Sequence, residues 1–499
     1  MSEKKSFLKL GIIYAIGQIL SKIIAFLLLP IYTRELGTIG FGQLSLVDTV
    51  FDFISAFTTL SIYSGYIRFH KEYEGINRIE LKNTAINFSI IMSLFVFLLV
   101  LVIGKFTSPL IFHFKNSYGL LILTISRSIL FQFITLFICD YSLRYEAKKV
   151  VLINLVKLIL ECSLIIYFVL DEDGVIGVYK GYVISNFIIV VYLIVKNLGN
   201  YKFNINKKML KEMLTFSGGF LPSQMAATIL NLSDRYFLSS AKGVSQTGIY
   251  SMGYKFGTLI NPLFVEPFKQ IFTPYKFEIW KDSDAEKKFN RFFLMYHLIG
   301  CFVILAISFN SKILLTLFAT AEYLKAYKII PLILFSYFLY GKSCFYCLGM
   351  QLRNKTYLDG PIMISGGVLN IILNLLLIPS WGMYGAAIAT LISYVFINFI
   401  YLKASLPMYH IRYKKSPIVN IYLVSIALYI VYYLISLQGF SIWIDPLLSI
   451  FLLVSYFLLC VLIGVIKRTD LLTFYQSILA KIFKKKTMNS MQRISSGGK

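Results

Sequence analysis

Residues 83–104 read Asn83-Thr-Ala-Ile-Asn-Phe-Ser-Ile-Ile-Met-Ser-Leu-Phe-Val-Phe-Leu-Leu-Val-Leu-Val-Ile-Gly104, a stretch without a single charge. As a helix it is about 33 Å long, enough to cross the roughly 30 Å hydrocarbon core of a bilayer. The rest of the chain repeats this pattern. Of its 499 residues 57% are hydrophobic and only 15% charged, and its mean hydropathy is +0.72. A soluble domain carries about a quarter charged residues to cover its surface. The composition therefore excludes a soluble enzyme, a disordered chain and a nucleic-acid-binding domain.

Apolar runs between polar breaks predict fourteen membrane helices. They fall at 9–31, 41–66, 83–104, 118–139, 150–170, 175–196, 213–238, 246–268, 291–309, 326–349, 359–378, 383–402, 418–437 and 444–466. The first run is too long for a signal-peptide core, and no small-residue cleavage site follows it, so it is expected to remain as a span. The net charge of +25 is explained by where the bases lie. With a cytoplasmic N-terminus, 35 of the 49 Lys and Arg fall in the tails and even-numbered loops, and 6 on the opposite side. That asymmetry places both termini in the cytoplasm of a cell (inner or plasma) membrane protein, with no nucleic-acid partner. Residues 467–499 form a basic tail, with apolar positions from Leu471 to Phe483 on one helical face ahead of Lys484, Lys485 and Lys486. It reads either as an interfacial helix on anionic membrane lipid or as a plain basic end. Six cysteines sit within or beside apolar runs, and Cys344-x-x-Cys347 reads as two small interior residues.

The chain also repeats itself. A shift of 206 places Gln18 on Gln224, Gly42 on Gly248 and Ser45 on Ser251. A shift of 208 places Gly174-Val-Ile-Gly177 on Gly382-Met-Tyr-Gly385. The spacing equals six spans, an even number, so the halves keep one orientation and form a parallel repeat. The expected domains are an N-terminal lobe (1–200, spans one to six), a C-terminal lobe (201–412, spans seven to twelve), a helix pair (413–466) and the tail.

Three further stretches carry a resemblance to a known family. They are Leu29-Pro-Ile-Tyr-Thr-Arg-Glu-Leu-Gly37 with Phe41-Gly-Gln-Leu-Ser45; Ser233-Asp-Arg-Tyr236 with Gly248-Ile-Tyr250; and Ile378-Pro379 followed by Gly382 to Ser393. In these residues the chain resembles the polysaccharide transporter branch of the multidrug/oligosaccharidyl-lipid/polysaccharide exporter superfamily, which includes the O-antigen and capsule repeat-unit flippases. The resemblance implies an all-α polytopic membrane protein of two pseudo-symmetric six-helix lobes plus a C-terminal pair. It also implies alternating access without catalysis, so the chain is not expected to be an enzyme.

Charges within spans cost several kcal/mol each and ask for a purpose. Lys22, Arg127 and Lys157 lie near mid-membrane, Arg235 and Lys255 in the outer third, and Lys180 closer to a helix end. The acids at similar depth are Asp48, Asp52, Glu161 and Asp234. Six bases against four acids favour an anionic ligand, and the resemblance implies one: a polyprenyl-pyrophosphate-linked oligosaccharide, whose pyrophosphate Arg and Lys can grip. Gln18, Gln224 and Asn231 are candidates for its sugars, against the alternative of helix-to-helix hydrogen bonds. Asp48, Asp52 and Glu161 are the acids expected to couple an ion. No G-x-x-x-x-G-K-[ST] motif occurs, so neither ATP nor another cofactor is expected. A polysaccharide polymerase and glycosyltransferases are the protein partners implied. The competing readings are a peptidoglycan lipid-precursor flippase, which needs the same grip, and a cation-exporting multidrug antiporter, which the basic balance disfavours.

Overall fold

The computed structural model describes residues 26–112, 117–171, 173–197, 199, 201–218, 221–438 and 444–465. The span expected at 9–31 and the basic tail fall almost wholly outside them. In a bilayer no water is at hand for backbone N–H and C=O groups, so a spanning segment must satisfy them within itself. The described residues accordingly fold into helices, without strands. They run α1 (Leu29–Glu35), α2 (Gly37–Thr59), α3 (Ile62–Phe69), α4 (Gly75–Phe112), α5 (Tyr118–Leu143), α6 (Ala147–Leu170), α7 (Gly174–Asn197), α8 (Lys207–Gly218), α9 (Leu221–Lys242) and α10 (Val244–Gly257). There follow α11 (Glu266–Ile279), α12 (Ala285–Phe309), α13 (Ser311–Phe318), α14 (Ile330–Tyr346), α15 (Leu348–Leu352), α16 (Asp359–Trp381), α17 (Met383–Ser405), α18 (Ser416–Ser436) and α19 (Asp445–Leu462).

Ten helices among the described residues are long and apolar enough to cross a membrane. They stand at the third to sixth and ninth to fourteenth expected spans, and the chain is a multi-pass membrane protein. The second, seventh and eighth expected spans are also helical but differ in kind. The run expected at 41–66 breaks where Leu60 and Ser61 turn left-handed, at φ 39° and 51°, separating α2 from α3. The run expected at 246–268 breaks after Gly257 and continues through a π-helical turn, Asn261–Val265, which carries Pro262. A π turn widens a helix and commonly marks a functional position. Helix α9 stays whole but carries Ser233, Asp234 and Arg235 in its second half. The broken or polar helices carry Asp48, Asp52, Asp234, Arg235 and Lys255.

One compact unit extends to Leu259 and resumes over Leu314–Tyr409; a smaller one takes Ile260–Ile313 and resumes at His410. The smaller unit packs α12 against α18 and α19 through Cys301, Leu305, Phe309, Val424, Tyr432 and Tyr456. Tyr432 and Tyr456 donate their hydroxyls to the Phe309 and Leu298 carbonyls, at 2.7 and 2.8 Å. The larger unit contains the charges considered below.

Within the larger unit the repeat has a physical basis at two hairpins. Gly174 and Gly382 open α7 and α17 in the left-handed region, at φ +55° and +54°, where a side chain would strain the turn. One turn on, a β-carbon on Gly177 would stand 2.8 Å from the Phe168 carbonyl oxygen, and one on Gly385 2.5 Å from that of Leu377. The two G-x-x-G stretches thus perform the same task, reversing the chain and seating each helix against the backbone of its predecessor. Gly177→Val or Gly385→Val should each cost about 1–3 kcal/mol through overpacking. Gly119→Ala, with open space around it, should cost nothing. Thermal unfolding of the detergent-solubilised protein distinguishes these outcomes.

Candidate functional site

The site is built where α2 and α10 cross. A β-carbon on Gly42 would lie 2.0 Å from the Val244 carbonyl oxygen, and one on Gly248 2.1 Å from that of Thr38, so only glycine permits this approach. Ser45 Oγ meets Ser251 Oγ at 2.6 Å, and Thr38 Oγ1 meets Ser245 Oγ at 2.8 Å. Gly42 with Gly248 and Ser45 with Ser251 are pairs equated by the 206-residue shift. In both pairs the residues equated by the shift touch one another.

One turn beyond Ser45, Asp48 faces α5 and α7. Arg127 Nη1 donates to Asp48 Oδ1 at 2.9 Å and to the Tyr179 hydroxyl at 3.1 Å. Tyr179 donates to the same Asp48 oxygen at 2.8 Å, closing a triangle. The guanidinium carbon lies 3.7 Å from the centre of the Tyr182 ring and 4.0 Å from that of Phe51. Ion pair, hydrogen bonds and aromatic faces together hold the cation in place. Asp52, four residues along the same face of α2, is exposed and lies in the field of Asp48, Arg235 and Arg127.

Across from this, α9 and α10 supply Arg235 and Lys255. Asp234 is fully buried: its carboxylate accepts from the Tyr250 hydroxyl and, at 2.8 Å, from the Arg235 backbone N–H. It makes no ion pair with the Arg235 guanidinium among the described residues, although the two charges attract. Arg235 lies over the Tyr254 ring at 4.7 Å, and its Nε has no hydrogen-bond partner among the described residues. Tyr254 and Tyr337 share a hydroxyl hydrogen bond of 2.7 Å. Lys255 lies 5.2 Å from the Phe41 ring centre and 5.9 Å from that of Tyr32. The described ion pairs engage Arg127 and Lys157, the latter with Glu161 one turn on at 3.3 Å, and leave Arg235 and Lys255 without one.

The structure therefore brings Asp48, Asp52, Arg127, Arg235 and Lys255 into one electrostatic neighbourhood. Lys157 and Glu161 pair with each other on α6, Lys157 against the Phe131 ring at 5.4 Å, and Phe131 meets Phe51 edge to face beneath Arg127. Gln18 and Lys22 lie outside the described residues, and so do the side chains of Gln224 and Asn231 on α9. Lys180, nearer its helix end, pairs with Asp173 at 2.7 Å. The aromatic wall of Tyr32, Tyr179, Tyr182, Tyr254 and Tyr337 was missed by reading charges alone. Its signal was present in tyrosines at helical spacing within apolar spans, as in Tyr179-x-x-Tyr182 and Tyr250-x-x-x-Tyr254.

Residues 7–280 match a family described as polysaccharide biosynthesis protein. The chain belongs to that family. An uncharacterized membrane protein of Methanocaldococcus jannaschii is 19% identical over 430 residues, covering 80% of this chain and 84% of that protein. Among solved structures, the lipid II flippase MurJ in an inward closed conformation superposes with a TM-score of 0.63 at 15% identity, covering 89% of this chain and 98% of that one. An inward-facing multidrug resistance transporter of the MATE family and MOP superfamily gives 0.62 at 14% identity, covering 77% and 93%. These likenesses give the fold: this member of the polysaccharide biosynthesis family is built as those transporters are.

Removing one partner of the Arg127–Asp48 pair leaves a charge in the helix bundle without its counterion. Arg127→Leu and Asp48→Leu should each lower stability by about 1–3 kcal/mol. The double variant should lose less than the sum, since no charge is then left unpaired. A double-mutant cycle on melting temperature in detergent measures the coupling.

Proposed function

We propose that the protein is a flippase moving a polyprenyl-pyrophosphate-linked oligosaccharide repeat unit from the cytoplasmic to the outer leaflet, for O-antigen, capsule or exopolysaccharide synthesis. The observation that carries this reading is the pair of bases that make no ion pair among the described residues, Arg235 and Lys255, set in an aromatic wall beside the Arg127–Asp48 pair. A pyrophosphate would supply a direct anionic partner for them, and tyrosine faces and hydroxyls suit the apolar and polar sides of sugar rings. An exporter of organic cations would need the reverse balance.

The accompanying architecture is fourteen spans in two six-helix lobes plus a pair, with both termini in the cytoplasm of the cell membrane. In it the glycine crossing of α2 and α10 lies toward the outer ends of the second and eighth spans. Closed there, the protein would admit substrate from the cytoplasm; alternating access requires that crossing to separate. Lys22, Gln18, Gln224 and Asn231 are proposed to extend the grip and the sugar contacts. Among the acids, Asp48 and Glu161 already hold a base. Asp52 is therefore the carboxylate we assign to proton or sodium coupling.

Proteoliposomes loaded with a polyprenyl-pyrophosphate oligosaccharide test the reading. Wild-type protein should flip the lipid, and Arg235→Ala and Lys255→Ala should each slow it at least about tenfold, the loss of one charge-assisted contact. Flipping of a peptidoglycan lipid precursor alone would reassign the substrate, and export of a cationic dye without lipid movement would overturn the proposal. Asp52→Asn should remove any response to an imposed pH or sodium gradient while leaving lipid binding intact.

A further inference from the structure

A second basic cluster lies away from this site, where the start of α4 meets the ends of α5 and α7. Asp140, almost completely buried near the end of α5, accepts from the Tyr66 hydroxyl at 2.7 Å. Its other carboxylate oxygen binds two bases, Lys82 Nζ at 2.7 Å and Arg144 Nη2 at 2.9 Å. One buried anion thus fixes two cations, and Arg144 remains half exposed. Lys196, held by the Tyr192 hydroxyl at 2.9 Å, adds a third base. The three bases stand at the rim of a cavity of about 540 Å3. Below the rim its walls are apolar, with Ile86, Ile90, Leu130, Phe133, Phe137 and Ile194. Ile90 and Ile194 are exposed sideways, so the groove opens toward lipid rather than into the bundle.

We propose that this groove binds an acidic glycerophospholipid of the cytoplasmic leaflet, with its phosphate at Lys82, Arg144 and Lys196 and an acyl chain along the apolar wall. Charge complementarity supports the headgroup: three bases against one acid leave a net positive rim, and basic pockets between helices on the cytoplasmic side are where anionic headgroups bind. Length supports the tail. From Ile79 to Ile90 the groove descends α4 by about 16 Å, close to half of a roughly 30 Å core, the depth of one leaflet. A polyprenyl chain is longer than that. Arg144 lies about 25 Å along α5 from Arg127, so the headgroup position is separate from the proposed transport site; the choice of leaflet rests on the orientation read from the charge asymmetry, and not on the substrate proposed above.

Native mass spectrometry of the full chain in detergent, titrated with phosphatidylglycerol, phosphatidylcholine or polyprenyl phosphate, tests this. Phosphatidylglycerol should be retained over phosphatidylcholine, and Lys196→Glu should weaken it at least about fivefold. Ile194→Trp, which fills the groove and keeps every charge, should weaken it as well. Lys82 is left intact because its loss would unbalance buried Asp140. Equal binding of the two phospholipids, or wild-type binding by both variants, would overturn the assignment. Polyprenyl phosphate displacing phosphatidylglycerol would overturn the occupant and make the groove a docking place for the carrier lipid.

Discussion

Two backbones touching at Gly42 and Gly248 set the geometry of the larger unit. Helices in a bilayer gain little by hiding apolar side chains from one another, since lipid is equally apolar; close contact of backbones and short hydrogen bonds must hold them. The crossing of α2 and α10 supplies both, through two glycines and the Ser45–Ser251 and Thr38–Ser245 hydroxyl pairs. It fixes the rotation of each helix about its own axis. Asp48 and Asp52 on α2 then face inward toward Arg127, and Lys255 on α10 comes beneath Tyr32 and Phe41.

The two halves use this common frame differently. The 206-residue shift equates Asp48 with Tyr254, and both sit against an arginine: Asp48 binds Arg127 directly, whereas Tyr254 offers Arg235 only its ring. Among the described residues, the first arginine has a carboxylate in direct contact and the second has an aromatic face instead.

Much of this could be read in the sequence. Long uncharged runs such as 83–104 gave the helices, because hydrocarbon leaves a backbone no other choice. The glycines at 174, 177, 382 and 385 marked the repeat, because hairpin turns and close helix seating tolerate little else. Which charges would meet was not legible. Lys157 with Glu161 follows from helical spacing, but Arg127 with Asp48 depends on α5 lying beside α2, a matter of packing among many apolar surfaces of similar shape. Asp140 was overlooked because it sits where a span gives way to a loop; Arg144 is one helical turn on from it, but only the fold shows that Lys82 of α4 converges on the same carboxylate. The breaks after Thr59 and Gly257 were also hidden, since hydropathy averages across them.

The contact between Ser45 and Ser251 has one further meaning. A residue that meets its own counterpart across a two-fold axis is what a symmetric homodimer produces, where the same patch faces itself. In such an assembly one codon writes both partners, so any change appears twice at the seam and a bulky side chain would collide with its own copy. Once the halves share a chain, each position can vary alone. Glycine and serine match at the seam, while positions one helical turn away differ as much as an aspartate and a tyrosine. The seam has the character of a subunit interface, and the difference beside it is one that a pair of identical chains could not carry.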